Sequence, residues 1–315
     1  MSFPLIKLGD LFEIQIGKTP SRANQNYWTN GLYNWLSIAD MNQGKYLDRT
    51  KEKINDLAVK ESNIKLIPEN TVVLSYKLSI GKVGITKKSM FTNEAIASLI
   101  PLNNNIDINF LYWALQHIDL MANTDRAAMG QTLNKAKLKE IKIPLPSLSE
   151  QKRIAEILDK ADELRQKRQQ SIEKLDELLQ ATFIDMFGDP ITNPKGWEIC
   201  EVGKVTDCIV PARDKPKSFT GDIPWITTDD LNHLGFTETS KKNIGLTNEE
   251  ITLAKARLIP KNSVVISCVG NLGLASIASD NFVMNQQLHS FQCGDKILPE
   301  FLIFCLPFQK GYMLS

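Results

Sequence analysis

The stretch LIPENTVVLSYKLSIGKVG, residues 66–84, decides the fold because it recurs, without a gap, as LIPKNSVVISCVGNLGLAS at residues 258–276. Self-similarity at a fixed offset, here 192 residues, is typical of a duplicated unit. The sequence therefore predicts two diverged copies of one domain. A chain with two such copies is suited to contact two ligands of the same kind with different preferences.

The similarity extends to both sides of the duplicated stretch. Upstream, YNWLSIADM at residues 33–41 matches IPWITTDDL at residues 223–231, and downstream the Asn-Glu pair at 93–94 matches the Asn-Gln pair at 285–286. At 315 residues the chain is long enough for about two domains with a core each.

Each copy mixes strand and helix signals. The β-branched runs at residues 71–75 and 263–267 predict buried strands. Residues 105–115 and 298–304 predict short helices. We therefore expect an α+β fold in each copy.

A long helix is predicted between the copies, since residues 150–187 contain neither proline nor glycine. Ser149 can act as its N-cap, and Gly188 with Pro190 ends it. The predicted boundaries are 1–149 for the first domain, 150–187 for the helix and 188–315 for the second domain. At 1.5 Å per residue the helix is about 57 Å long.

Apolar residues of this helix recur at alternating spacings of three and four, close to the 3.5-residue period of a coiled coil. A helix inside the core of one domain is the alternative, but a domain of this size is too small to cover it. The predicted coiled-coil interface comprises Ile154, Ile157, Leu158, Ala161, Leu164, Ile172, Leu175, Leu178 and Leu179.

Charge is distributed unevenly along the chain. The net charge is +1, yet residues 1–149 hold 18 basic against 13 acidic residues, whereas residues 188–315 hold 12 against 14. If both copies bind DNA, the second must do so through a local patch. Because the sequence has no secretory signal and no apolar run long enough for a membrane span, a cytoplasmic protein with no membrane contact is expected.

Motifs for catalysis are missing from the sequence. Gly17-Lys18-Thr19 resembles the end of a phosphate-binding loop, but Phe12 stands where that loop needs a glycine. Neither G-x-G-x-x-G nor an Asn-Pro-Pro-aromatic tetrapeptide occurs, and the five cysteines form no C-x-x-C pair. We therefore expect a protein without an active site, a bound cofactor or a metal.

Loops that combine glycine with basic and amide side chains are the candidates for DNA contact. Lysine and arginine suit phosphates, while glutamine and asparagine can pair with adenine in the major groove. The amides at 131, 271 and 286 are the candidates for base readout, with capping of local turns left open as the alternative. The candidates are Lys18, Thr19, Ser21, Arg22, Lys77, Lys82, Gln131, Asn134 and Lys135 in copy one, and Arg213, Lys215, Lys217, Asn271 and Gln286 in copy two.

The chain resembles the specificity subunits of Type I restriction-modification systems. The resemblance covers essentially the whole chain. It includes the beginning of copy two, where Val202-Gly203 corresponds to Leu8-Gly9 at the beginning of copy one. The segments that carry it are IKLGD at 6–10, GQTLNKAKLKEIKIPLP at 130–146, EQKRIAEIL at 150–158 and GWE at 196–198.

The resemblance implies a function and a set of partners. Each copy would be a target recognition domain for one half of a split sequence in double-stranded DNA, and the helix would set the spacing. Type I methyltransferase subunits would bind S-adenosylmethionine and methylate adenine, with a restriction/translocase subunit as a further partner. The chain itself would be non-catalytic. The alternative is a truncated, free-standing DNA-binding or regulatory protein acting as a homodimer.

One departure from the family pattern concerns the end of copy two. After Phe301 the sequence continues for only fourteen residues, so it contains no second long helix of the kind that the family pairs with the first. We therefore expect the helix to pair antiparallel with its counterpart in a second chain.

Overall fold

Short strands and helices alternate along both halves of the chain, as the α+β prediction requires. The computed structural model describes residues 3–120, 133–211 and 215–313. The chain divides into two compact units, unit 1, Met1–Gln166, and unit 2, Lys167–Ser315. The division falls inside the long helix, so each unit includes about half of it.

The elements of unit 1 include the predicted strand at 71–75, as β6, and the predicted helix at 105–115, as α3. In chain order they are β1 (Leu5–Lys7), α1 (Leu8–Leu11), β2 (Phe12–Ile16), β3 (Tyr33–Leu36), β4 (Tyr46–Leu47), β5 (Glu52–Ile54), α2 (Asp56–Ser62), β6 (Val72–Ser75), β7 (Val83–Thr86), β8 (Phe91–Thr92), β9 (Ile96–Pro101), α3 (Ile108–His117), α4 (Lys135–Glu140) and β10 (Lys142–Pro144), followed by α5 (Leu148–Phe187), which continues into unit 2.

As far as the structure describes it, unit 1 contains three sheets: two form its body, and the third is the antiparallel pair of β1 and β10. Within the described residues, the larger sheet has the order β2-β9-β6-β7-β4 and the smaller one β5-β3-β8. The larger sheet is antiparallel except for β4, which runs parallel to β7. Strand β6 lies at its centre and is buried on both faces: Val72 and Leu74 pack toward α3, whereas Val73 packs toward Leu36 and Leu47. This two-sided burial explains why β6 was visible in the sequence as a continuous apolar run.

Unit 2 repeats the same succession. Its elements are β11 (Thr206–Ile209), β12 (Ile223–Ile226), β13 (Gly235–Thr237), β14 (Gly245–Leu246), α6 (Asn248–Leu253), β15 (Leu258–Ile259), β16 (Val264–Ser267), β17 (Ala275–Ala278), β18 (Phe282–Met284), β19 (Leu288–Cys293), α7 (Pro299–Phe308) and α8 (Lys310–Met313).

The sheets of unit 2 confirm the internal repeat. Among its described residues the larger sheet has the order β11-β19-β16-β17-β13, which matches the larger sheet of unit 1 strand for strand. The smaller sheet has the order β14-β12-β18-β15, where β15 replaces the single bridge between Ile67 and Met90 in unit 1. Helix α7 packs on the larger sheet through Leu302 and Leu306, as α3 does in unit 1.

Helix α5 begins two residues earlier than predicted, and Ser149 is not its cap. Ser147 accepts a hydrogen bond at its Oγ from the N–H of Glu150, so Ser147 occupies the capping position. The fully buried Gln151 then fixes the first turn, because its side chain accepts from the N–H of Asp107 and donates to the carbonyl of Pro146.

The first half of α5 is attached to unit 1 by polar contacts as well as packing. Asp159 accepts hydrogen bonds from the Trp113 indole at 2.7 Å and from the ammonium of Lys45 at 2.5 Å. The Lys45 side chain is only 10% exposed. The Asp159 side chain is 38% exposed, so the ion pair is partly shielded, and salt screens it less than a pair on the open surface.

The second half of α5 is attached to unit 2 through aromatic packing instead. Phe183 is 6% exposed, and its ring contacts four others with centroid distances of 5.0 to 6.4 Å. These partners are Phe187, Phe301, Phe304 and Phe308.

The predicted apolar stripe of α5 is mostly exposed to solvent in the described part of the chain. Ile154 and Leu158 are half-buried and Ala161 is exposed. The large exposed side chains are Ile157 (52%), Leu164 (55%), Ile172 (53%), Leu175 (59%), Leu178 (61%) and Leu179 (46%). The stripe is therefore not part of either unit's core. No helix in the described part of the chain is both long and apolar enough to cross a membrane.

Candidate nucleic-acid interface

Three loops of unit 1 meet at one edge of its larger sheet. Antiparallel pairing places the ends of β2 and β6 beside the start of β9. The loops there are residues 17–22, 76–82 and 93–95, which we call the unit 1 loop edge. A backbone hydrogen bond of 2.8 Å from the Lys18 N–H to the Thr92 carbonyl holds loop 17–22 against β8, the strand that immediately precedes loop 93–95.

Gly17 allows this close approach. A Cβ at this position would lie 2.2 Å from the carbonyl oxygen of Asn93 and 2.3 Å from that of Thr92. Both neighbours are backbone atoms and cannot rotate away, so only glycine fits. The glycine that looked like part of a phosphate-binding motif thus serves to place Lys18 on the loop edge.

The loop 76–82 is closed by Ser75. Its hydroxyl donates to the Ser79 carbonyl and accepts from the Lys82 N–H, and its carbonyl accepts from the Gly81 N–H. Within this closed loop Leu78 has a φ of +61° and is 91% exposed. The left-handed conformation costs a residue with a Cβ about 1–2 kcal/mol.

The three lysines predicted to contact phosphate all lie on this edge. Lys18 and Lys77 are exposed. Lys82 is half-buried and donates to Asn42 Oδ1 at 2.7 Å and to the carbonyl of Ile38. Because those acceptors are neutral, the positive charge of Lys82 is kept.

Arg22 and Thr19 make contacts that the sequence did not suggest. The Arg22 guanidinium donates to both carboxylate oxygens of Glu52, and this pairing raises the pKa of Arg22 and lowers that of Glu52. It also lies 3.8 Å above the ring centroid of Trp28. Thr19 donates its hydroxyl to Glu94. The charge of Arg22 is thus already neutralised, and its contacts anchor the first loop.

The remaining candidates of unit 1 differ in what the structure says of them. Ser21 is exposed, and its carbonyl accepts from the indole of Trp28. Asn134 caps α4, because its side chain accepts a hydrogen bond from the Lys137 N–H. Lys135 is exposed in the first turn of α4. Gln131 lies outside the described residues.

Unit 2 builds the same edge from different side chains. The loops 268–274 and 285–287 meet there, and we call them the unit 2 loop edge. The N–H of Cys268 donates to the carbonyl of Gln287 at 2.8 Å, joining the two. Asn271 and Gln286, the candidates for base readout, are both exposed on these loops.

Ser267 closes the loop 268–274 with the same hydrogen bonds that Ser75 makes. Its hydroxyl donates to the Asn271 carbonyl and accepts from the Leu274 N–H, and its carbonyl accepts from the Gly273 N–H. Gly270 takes the left-handed conformation here, with a φ of +78°. At the repeat offset of 192, Gly270 corresponds to Leu78 in unit 1.

The loop that carries Lys215 and Lys217 is tied down by Glu250. The carboxylate accepts from the N–H and hydroxyl of Thr220 and from the N–H of Thr247, the cap of α6. These hydrogen bonds, with one from Ser218 as the largest contribution, lower the pKa of Glu250 to about 2. Both lysines are exposed, whereas Arg213 falls outside the described residues.

Unit 1 holds the corresponding loop in a similar way, at the start of α2. Asn55 caps α2 by accepting from the Ala58 N–H. Its amide donates to the carbonyls of Asn26 and Thr29. The start of the short helix therefore ties down the loop after the first sheet strand in both units.

Several of the contacts that hold these loops were not predicted from the sequence. The Thr247–Glu250 pair has the spacing of a capping box and could have been found. The pairing of Arg22 with Glu52 joins positions thirty residues apart and has no local signal. Within the described residues, no cluster of three or more metal-ligating side chains is found.

Known proteins resemble the chain in both sequence and fold. It is 30% identical over 219 residues to the specificity subunit of the type I restriction enzyme MjaIX of Methanocaldococcus jannaschii, covering 63% of this chain and 50% of that one. It is also 30% identical over 183 residues to the EcoR124I/EcoR124II specificity subunit of Escherichia coli, covering 56% and 45%. The chain thus spans about half the length of these relatives.

The fold agrees with this similarity. The crystal structure of the S subunit of a Type I restriction-modification system from M. genitalium superposes with a TM-score of 0.52 at 16% identity, covering 99% of this chain and 78% of that one. The family model for the type I restriction modification DNA specificity domain matches twice, at residues 3–174 and 194–315. Because these two matches include nearly the whole chain, the protein belongs to that family and carries two of its domains.

Proposed function

We propose that this chain is the sequence-recognition subunit of a Type I restriction-modification complex, with each unit contacting one half of a split site in double-stranded DNA. One observation carries the proposal: both loop edges are built on the same serine-closed loop but present different side chains. Such a pair of surfaces suits two different half-sites on one ligand. DNA as the ligand would place the protein in the cytoplasm.

The charge of unit 1 supports nonspecific attachment through phosphates. Lys18, Lys77 and Lys82 lie on one edge, and each neutralised phosphate adds about −0.9 to the slope of log K against log salt. Replacing all three by alanine in the full chain should weaken binding to every duplex and flatten the slope by up to about 2.7.

A matched variant keeps the charge change but moves it away from the loop edge. Lys60, Lys139 and Lys142 are exposed on α2, α4 and β10. Replacing these three by alanine should leave most of the salt slope in place. Equal slopes for the two triple variants would remove the unit 1 loop edge as the phosphate-contacting surface.

Methyl transfer is proposed to belong to partner subunits. Type I methyltransferase subunits would bind S-adenosylmethionine and methylate adenine within the recognised site, and a restriction/translocase subunit would add cleavage. Support comes from the family, whose members matched here are specificity subunits of restriction enzymes. Methylome sequencing of a host with and without the gene should reveal one split motif that loses its adenine methylation. An unchanged methylome in a host that has the partner genes would refute this function.

We further propose that the exposed stripe of α5 pairs antiparallel with α5 of a second chain, and that the helix sets the spacing between half-sites. The heptad spacing and the exposure of about half of each large side chain support pairing. Replacing Ile157, Leu164 and Leu175 by aspartate would bury charge in the seam and should give monomers in light scattering. Aspartate at Gln170 and Ala181, which lie off the stripe, should leave the dimer intact. A monomeric wild-type chain at micromolar concentration would contradict the homodimer.

A further inference from the structure

Leu78 combines two features that no contact within the described residues explains. Its side chain is 91% exposed, and no large apolar side chain in the described residues is more exposed. Its backbone has a φ of +61°, which disfavours any residue with a Cβ. Six of the nine described non-glycine residues with positive φ are asparagine, the residue that tolerates this conformation best.

The loop itself does not require a leucine. Ser267 closes the matching loop of unit 2 with the same three hydrogen bonds, and there the left-handed position is occupied by Gly270. The loop conformation therefore forms without a side chain at this position. Since glycine would relieve the strain, the leucine is not explained by folding.

The position of Leu78 indicates what its side chain could contact. It lies next to Lys77, on the loop edge that also carries Lys18 and Lys82. Sequence recognition favours the major groove, about 12 Å wide, because each base pair presents a distinct pattern there, whereas the minor groove of about 6 Å presents a degenerate one. An apolar group in the major groove finds one apolar partner on the base edges, the C5-methyl group of thymine.

We propose that Leu78 is a specificity-determining residue of unit 1 that contacts the methyl group of a thymine in its half-site. The proposal rests on the proposed function, because it requires unit 1 to bind DNA through the loop edge. Lys77 and Lys82 would hold the flanking phosphates. Gly270 leaves the matching position of unit 2 without a side chain, so the same preference is not expected in the other half-site.

The test selects sequences from a pool of randomised DNA duplexes with the full chain and with Leu78→Gly. Wild type should enrich thymine at one position of one half-site. In Leu78→Gly this preference should fall by about tenfold, the usual cost of one lost base contact. Preferences at the other positions should remain. Leu78→Ala serves as a second variant that keeps a Cβ in the loop.

A matched control is Leu102→Ala. Leu102 is 59% exposed and follows β9 at the opposite edge of the same sheet, where its N–H donates to the carbonyl of Leu11. This variant should select the same sequences as wild type. Thermal unfolding of Leu78→Gly should occur at or above the wild-type temperature, because the substitution removes strain.

A second pool, made with deoxyuridine in place of thymidine, isolates the methyl group. Wild type should lose its preference in this pool, whereas Leu78→Gly should enrich the same sequences from both pools. If wild type enriches uracil as strongly as thymine, or if both Leu78 variants keep the thymine preference, the inference is wrong while the proposed function stands. If wild type enriches no sequence, the proposed function falls and the inference with it.

Discussion

Replacing Phe183 by alanine tests how α5 is attached to unit 2. The Phe183 ring is 6% exposed and lies among the rings of Phe187, Phe301, Phe304 and Phe308. Removing a phenylalanine from such a site costs about 3–5 kcal/mol, since the contacts are lost and the cavity closes only in part. We expect this cost to appear mainly as local opening of α7 and of the second half of α5.

Native-state hydrogen exchange, followed by mass spectrometry, measures that opening directly. At about 1.4 kcal/mol for each factor of ten, the protection of peptides from α7 should fall roughly a hundredfold to a few thousandfold. Peptides from the sheet of unit 1 should exchange as in wild type. The measurement uses the full chain and does not require the two units to unfold together.

Ile184→Ala provides the control. Ile184 is the next residue along the helix but is 40% exposed, so its truncation should change stability by no more than about 0.5 kcal/mol. If Phe183→Ala changed the protection of α7 by less than tenfold, or no more than Ile184→Ala does, the aromatic cluster would not be what attaches the helix.

Three further predictions concern single residues. Gly17→Ala should destabilise unit 1 by about 1–3 kcal/mol in chemical denaturation, because the added Cβ meets backbone oxygens. Gly203→Ala, whose Cβ meets no atom within 4 Å, should leave the stability unchanged. Equal effects of the two substitutions would contradict the close approach at Gly17. Hydrogen bonds lower the pKa of Glu250 from an ordinary 4.5 to about 2, so the Thr220 amide should be fully protected from exchange above pH 4.5 and lose protection as the pH falls toward 2. Glu250→Gln should reduce the protection of the Thr220 amide at neutral pH. Protection that does not change with pH would contradict this role of Glu250. Burial lowers the pKa of His233 below 6.5, so the unfolded chain takes up this proton more readily than the folded one. Unit 2 should therefore melt at lower temperature as the pH falls below 6.5. A His233→Gln variant with the same pH dependence would show that His233 is not the responsible group.

The parts of the fold that could be predicted are those with a local pattern. Strands β6 and β16 were evident because both faces are buried, which leaves a continuous β-branched run. Helix α5 was evident because it lacks proline and glycine. Its start was misjudged because two serines precede Glu150, and the sequence does not show that Ser147 is the one whose hydroxyl reaches the Glu150 N–H.

The candidate site was predictable only in part. Lys18, Lys77 and Lys82 were proposed from the composition of their loops, and the structure brings them to one edge because antiparallel pairing with β9 sets the ends of β2 and β6 together. Arg22 was assigned to DNA by the same reasoning, yet Glu52 neutralises it. A basic residue in a loop looks the same in sequence whether its partner is a phosphate or a carboxylate thirty residues away.

The closing serines Ser75 and Ser267 have a consequence for how recognition changes over time. The residues they enclose, YKLSI at 76–80 and CVGNL at 268–272, share no identity, although the enclosing hydrogen bonds are the same. The conformation of the loop and the residues it encloses can therefore change independently of each other. If the loop edges bind DNA as proposed, exchanging these five residues between the two domains would transfer a DNA preference without a change of fold.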